Sequence, residues 1–333
     1  MALLTVLMGL ALSFGLAWAY AGALYWADRH EKEPKRLLLG MFLWGAFIAT
    51  VGSALFSAVI DAGLNWVWGN PGATRELFDA AVVAPLVEES LKGVALLVLF
   101  ALARHEIDSL FDGIIYGALV GLGFEAVENA LYIIGSLGDG VGQMLLVMFL
   151  RLGLFGFTHA FYTGLTGLGL AVFRLYSSRW WAWFAPLAGW GAAVLAHALH
   201  NASMTLGGAV CLLGLSTDWL GLLALVGLMA WSIHRERQWL RRYLVEDVQA
   251  GRIGMAHYRT ACSLTARRKA VQRARRKGPQ YARATRDFYR HLTDLAFLRA
   301  HIQRGHRGPR ERERLQRLQT QVQHLAPYAE VAA

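Results

Sequence analysis

The sequence predicts an all-α fold: a polytopic membrane helical bundle of about seven transmembrane helices followed by a basic, helical tail. Three observations predict it. Of 333 residues, 56% are hydrophobic and only 17% charged, with a positive mean hydropathy, values foreign to a soluble enzyme. Apolar runs of spanning length recur at 3–26, 37–62, 77–103, 111–134, 144–173, 181–206 and 209–233. Finally, Lys and Arg alternate between successive short loops, as the two sides of a bilayer require.

The elements follow in chain order. The first run has no basic leader region and is long enough to cross a bilayer, so it reads as an uncleaved helix. The second is uninterrupted. The third, 77–103, carries Glu88 and Glu89 in its middle; Pro85 removes a backbone donor there and predicts a kink just before the pair. In the fourth, Gly113, Gly117 and Gly121 recur at steps of four, a small-residue stripe against which another helix can pack closely. The fifth, sixth and seventh runs complete the bundle, the fifth long enough to tilt.

Loop charges set the topology. Residues 28–36 hold Arg29, Lys32, Lys35 and Arg36, and the next loop holds only Arg75. Arg104 lies in the third loop, Arg174 and Arg179 in the fifth, and the fourth and sixth have no basic residue. The positive-inside rule then puts the N-terminus outside and the C-terminus in the cytoplasm. Cys211 and Cys262 fall on opposite sides, which leaves no intrachain disulfide to expect.

Two regions result, a transmembrane domain over 1–233 and a tail over 234–333. The tail carries 23 Lys+Arg against 8 Asp+Glu, a balance of +15, while the membrane part stands at −5. Phe288, Leu292, Leu295, Leu298 and Ile302 recur at helical steps, and Gly278-Pro279 and Gly308-Pro309 divide the tail into amphipathic helices. Its clusters Arg267-Arg268-Lys269 and Arg273–Lys277 suit anionic lipid or a cytoplasmic protein. No recognised nucleic-acid module accompanies the charge, so nucleic acid is set aside.

Charged side chains at membrane depth cost at least a few kcal/mol and therefore face a cavity or a partner. Lys92 follows Glu88 by four residues and Glu89 by three, which allows ion pairing along one helix face. The glycine stripe of the fourth run continues to Glu125 and Glu128, with Asn129 beside them. The fifth run holds Arg151, His159 and Thr163. The sixth holds His197 and Asn201 on one face, with His200 adjacent. At about 1.5 Å per residue, Glu88 lies about 16 Å below the outer face, Glu125 and His197 about 14 Å, Glu128 about 9 Å and Asn201 about 8 Å. His159 comes out deeper, at about 22 Å. One polar cavity open toward the outside would accommodate most of them.

Such a set can activate water. A glutamate in an apolar cavity is suited to act as base and then as acid, and neutral histidine and Asn amide groups can donate to an oxyanion. Serine or cysteine triads and HExxH are not visible. No metal or other cofactor is assigned, but a zinc held by His159, His197 and Glu128 stays open as an alternative.

Three motifs in order, Glu88-Glu89-x-x-Lys92, Phe124-x-x-x-Glu128-Asn129 and His197-x-x-x-Asn201, resemble those of the PrsW family of intramembrane proteases. This family is related to the CAAX prenyl-protease and bacteriocin-immunity superfamily. The segment Asp28-x-x-Glu31-x-Glu33-Pro34 and the region from His159 through Thr163 are also similar, so the likeness covers roughly 20–206. It implies a glutamate-type endopeptidase that cuts membrane-anchored proteins on their extracytoplasmic side, in some bacteria an anti-sigma factor. Carried over, Glu88 and Glu89 would be the base and its partner, and His197 the essential histidine. Glu128 stands where relatives in the wider superfamily carry a histidine. Lys92, Glu125, Asn129 and Asn201 would orient substrate or oxyanion, with His159 joining the catalytic set. The resemblance says nothing about 234–333.

Two rival classes stay open. A proton-coupled transporter would also carry intramembrane Glu and His, although no inverted repeat is visible. A scaffold without activity would use only the tail.

Overall fold

The computed structural model describes residues 2–28, 32–69, 72–303 and 308–332. They form helices without a strand and divide into two compact units, Met1–Ala27 with Glu33–Met229, and Asp28–Lys32 with Ala230–Ala333.

In the first unit, α1 (Ala2–Ala27) is followed by α2 (Lys35–Leu43), a π-helical turn at Trp44–Ala49, and α3 (Thr50–Trp68). Next come α4 (Ala73–Phe78), a second π-helical turn at Asp79–Val83, and α5 (Ala84–Ala103). The chain stays helical from Ala73 through Ala103, and in place of the kink expected at Pro85 the π-helical turn lies just before it, the kind of local widening that accommodates a missing N–H inside a helix. Helices α6 (Leu110–Gly135), α7 (Val141–Met148), α8 (Thr158–Tyr176), α9 (Ala185–Leu206) and α10 (Cys211–Tyr243) complete the order.

Among the described residues, six helical stretches are long and apolar enough to cross a membrane. The expected third span is helical too, but Glu88, Glu89 and Lys92 in its centre keep it outside that set. Leu55, Val59, Leu97, Leu102, Leu212 and Leu220 point outward, an apolar surface suited to lipid and not to water. Trp180, Trp181 and Trp183 are exposed together, as interfacial aromatic rings are.

The centre of this unit is α6, buried almost throughout its length. Ser109 and Asp112 close its N-terminus with a capping box, satisfying donors that would otherwise be orphaned. Its glycine stripe lies on α8. A Cβ added to Gly113, Gly117 or Gly121 would stand 2.4 Å from Gly167 O, 2.3 Å from Thr163 O and 2.1 Å from His159 O respectively. Only a residue without a Cβ lets the two backbones approach so far.

The expected fifth span is not one helix. After α7, a π-helical turn at Phe149–Leu154 ends with Phe155 N donating to Leu150 O at 2.9 Å. The chain then turns through Phe155–Phe157 before α8 begins. His159 is thus in the first turn of a helix rather than in the middle of one.

In the second unit, beyond α10, come α11 (Val245–Gln249), α12 (Met255–Ala261), α13 (Leu264–Lys277), α14 (Pro279–Gln303) and α15 (Pro309–Leu325). The breaks expected at Gly278-Pro279 and Gly308-Pro309 are helix boundaries. Gly278 has φ +137, a conformation that side chains disfavour. Trp239, Leu240, Leu244, Phe288, Leu292, Leu295, Phe297, Leu298, Leu318 and Val322 form one core, with Ile302 packed against it. Arg299 is buried on Asp247. The basic cluster 267–269 splits: Arg267 donates to Ala261 O at 2.7 Å and Thr293 Oγ1 at 2.9 Å, so it is structural. Arg268 and Lys269 remain exposed.

Candidate functional site

Glu88, Glu89 and Lys92 share one face of α5, as their spacing requires. Lys92 Nζ is fully buried and lies 3.2 Å from Glu88 Oε2, 2.9 Å from Glu89 Oε1 and 2.7 Å from His159 Nδ1. An ammonium has three N–H donors, and three acceptors meet them. It also stands 3.6 Å from the centre of the Phe124 ring, an additional cation–π contact.

The two glutamates differ in access. Glu89 is 0% exposed; its Oε2 accepts from Thr163 Oγ1 at 3.0 Å, and its Oε1 lies 3.2 Å from His197 Nδ1. Glu88 is 14% exposed and faces His197 Nε2 across 3.9 Å. A carboxylate only accepts, so the proton of neutral His197 lies on Nδ1, toward Glu89. Its Nε2 lone pair then faces Glu88. By the same reasoning His159 Nδ1 accepts from Lys92, and its Nε2 donates to Glu128 Oε2 at 2.8 Å.

The imidazoles of His159 and His197 lie 4.9 Å apart, nearly perpendicular. The 22 Å depth expected for His159 is corrected accordingly. That figure assumed a continuous helix from 144, and the turn at Phe155–Phe157 brings His159 level with the others.

Glu125 Oε2 accepts from Thr158 Oγ1 at 3.3 Å and from the His159 backbone N–H at 2.9 Å. It therefore caps α8 from a neighbouring helix, where a carboxylate is stabilised by orphan donors and the helix dipole. Asn129 Nδ2 donates to Glu125 Oε1 at 3.1 Å. Glu128 also accepts from Arg151 Nη1 at 3.1 Å. Asn201 Nδ2 donates to Ala80 O at 2.9 Å, so its amide braces the π-helical turn before α5 and not the imidazole pair. Glu33 is buried and accepts from Tyr116 OH, nine residues or about 14 Å along α6 from Glu125. Arg29 and Glu31 lie outside the described residues.

Among the described residues, the ligand atoms of Glu88, His159 and His197 lie within 4.8 Å of one another. That trio differs from the expected His159, His197 and Glu128, because Glu128 is taken up by Arg151 and the far side of His159. Asp218, on α10, did not figure in the sequence reading. It accepts from Tyr162 OH at 2.7 Å and pairs with His200 Nδ1 at 2.6 Å. As the lone carboxylate of an apolar run, it carried the signal already applied to Glu88. A cavity of about 430 Å³ lined by Tyr20, Leu122, Phe157, Ala160, Trp219 and others is apolar, and no residue of the cluster lines it.

A family model described as "PrsW family intramembrane metalloprotease" matches residues 33–232. A "Protease PrsW" of Geobacillus kaustophilus is 31% identical over 161 residues, 48% of this chain and 64% of that protein. Another, of Clostridioides difficile, is 33% identical over 106 residues, 32% of this chain and 42% of that protein. A third, of Bacillus subtilis, is 32% identical over 111 residues, 33% of this chain and 47% of that protein. The chain thus spans less than two thirds of the length of each of these relatives. No solved structure matches it.

Proposed function

The chain belongs to the PrsW family of intramembrane proteases, and from that premise we propose that it is an endopeptidase cutting membrane-anchored proteins near their extracytoplasmic side. The observation that carries this is the convergence of Glu88, Glu89, Lys92, His159 and His197 from three helices onto one buried polar cluster. An anti-sigma factor is the kind of substrate the family resemblance implies.

Glu88 is the water-activating base, because it is the glutamate with access. Glu89 is its buried partner and holds His197 by Nδ1. A water drawn to Glu88 and His197 Nε2 loses a proton to Glu88 as its oxygen attacks the scissile carbonyl carbon. The Lys92 ammonium, 3.2 Å from Glu88 Oε2, supplies fixed positive charge beside the forming oxyanion. Glu88 then returns the proton to the amine nitrogen as the C–N bond breaks.

A second reading has a specific observation behind it. The matching family is described as metalloprotease, and two imidazoles plus a carboxylate are a common catalytic zinc set. Glu88, His159 and His197 would hold the ion, with His197 oriented from behind by Glu89, the arrangement expected around metal-bound histidines. When bound, the metal would polarise the carbonyl and acidify its water. Lys92 would have to give up its contact with His159 Nδ1.

The loop charges support an external N-terminus and a cytoplasmic C-terminus, with anionic lipid or a cytoplasmic protein at the basic second unit. The test is cleavage of single-span proteins by the full chain in proteoliposomes, with elemental analysis of the same sample. Fragments from the wild type, and none from Glu88→Gln or His197→Ala, are expected. Equal cleavage by all three overturns the reading, and proton flux without fragments would replace it with a carrier. Stoichiometric metal that is lost in His197→Ala selects the second chemistry.

A further inference from the structure

Asp218 sits two turns into α10 (Cys211–Tyr243), fully buried, in a run otherwise apolar over 209–233 apart from Ser216, Thr217 and Ser232. A carboxylate there is costly unless it is partnered. Its two oxygens are used separately. Oδ1 accepts from Tyr162 OH at 2.7 Å, and Oδ2 lies 2.6 Å from His200 Nδ1.

The partners occupy equivalent places. Tyr162 follows His159 by three residues on α8, and His200 follows His197 by three residues on α9. One carboxylate on a third helix therefore ties together the turns that follow the two cluster histidines. The tie reaches the rings themselves. The Tyr162 ring stacks on His197, with centroids 5.1 Å apart and planes 13° apart, and meets His159 nearly edge-on at 5.7 Å and 83°. Tyr162 thus packs against both imidazoles, which also meet each other at 4.9 Å, and Asp218 fixes the free end of its ring. His200 also meets the Phe155 ring, in the turn before α8, with centroids 4.9 Å apart and planes nearly perpendicular.

We infer that Asp218 is a positioning residue: through Tyr162 and His200 it sets the separation and tilt of His159 and His197. This rests on the proposed peptidase function for its effect on rate, but not for its effect on the rings. An ionised carboxylate can accept both bonds at once. An Asn of the same shape has one acceptor oxygen and an amide that only donates, so one tie must reverse or break.

The test compares the full chain with Asp218→Asn, Tyr162→Phe and the double variant, in detergent and in proteoliposomes. Tyr162→Phe keeps the stacked ring and removes only the hydroxyl, so it serves where Asp218→Asn folds poorly. With histidine labelled by nitrogen-15, the signals of His159 and His197 are expected to shift or broaden in both single variants, each assigned by its own His→Gln control. On a single-span substrate, kcat is expected to fall about 10-fold to 100-fold, the range that slight misplacement causes. KM and the thermal midpoint stay near wild type, and the double variant loses less than the two single losses combined, because the variants share the Tyr162–Asp218 bond. Unchanged imidazole signals in both variants overturn the inference, as does a lowered thermal midpoint with kcat intact. If the wild type hydrolyses nothing, the proposed function falls, and the imidazole signals alone decide on Asp218.

Discussion

Glu88 and Glu89 are neighbours with opposite surroundings, and that contrast makes their substitutions predictable. Glu88→Gln removes the base proposed above and is expected to lower cleavage by about 10²-fold to 10⁴-fold while the protein accumulates normally; immunoblots of substrate and enzyme read both. Cleavage within twofold of wild type would reassign the base. Lys92→Met acts differently, because it strips a sealed carboxylate of its counter-charge. Removing one member of such a pair costs about 3–5 kcal/mol. A thermal midpoint unchanged in detergent would mean that other groups balance Glu89. These three residues were legible in the sequence because helical spacing alone puts them on one face. Asn201 was less so. Its position one turn from His197 is right for the cluster, but the π-helical turn before α5 leaves the Ala80 carbonyl within its reach, and the amide donates there. Asp218 was passed over because a single acid in a long apolar run has no sequence neighbour to pair with; its partners come from two other helices.

At the scale of elements, the glycine stripe did what its period promised and set α6 on α8. Gly117→Val would push a side chain into a carbonyl 2.3 Å from the new Cβ. It is expected to reduce the yield of folded protein sharply, judged by size-exclusion profile and protease resistance. Gly191→Ala is the matched control, since nothing lies within 4 Å of its Cβ. There the helix gains up to about 1 kcal/mol, and a comparable loss at both positions would disprove the packing argument. The interruption at Phe155–Phe157 was not legible. Residues 144–173 are apolar without a proline, so their hydropathy reads as one span. What ends α7 is a π-helical turn, and what starts α8 is a glutamate on another helix. Neither leaves a local mark, and so the depth expected for His159 failed although its ring joins the cluster.

For the molecule as a whole, the described residues pack as two units, and most of the second lies beyond Ala230. Residues 234–333 read as basic and amphipathic, and their core of Trp239, Phe288, Leu292, Leu295 and Val322 makes them more than a solvated extension. Leu292→Asp, which places a charge in that core, is expected to make this region selectively sensitive to limited proteolysis, with the fragment containing 33–229 persisting. Digestion at the wild-type rate would count against a cooperative second unit. The loop charges make a separate forecast: a fluorescent protein fused at the C-terminus should fold and emit, as it does only on the cytoplasmic side. A dark fusion, present at full length, would invert the topology.

The burial of α6 on nearly every side separates two kinds of selection that act on a transmembrane segment. The translocon reads greasiness, and any stretch of leucines would satisfy it. The neighbours of α6 read shape, and leucines would hold them apart by the width of a side chain. A chain with that exchange would therefore enter the bilayer with every span in its lane and still never assemble, so for this protein membrane integration is no proxy for folding.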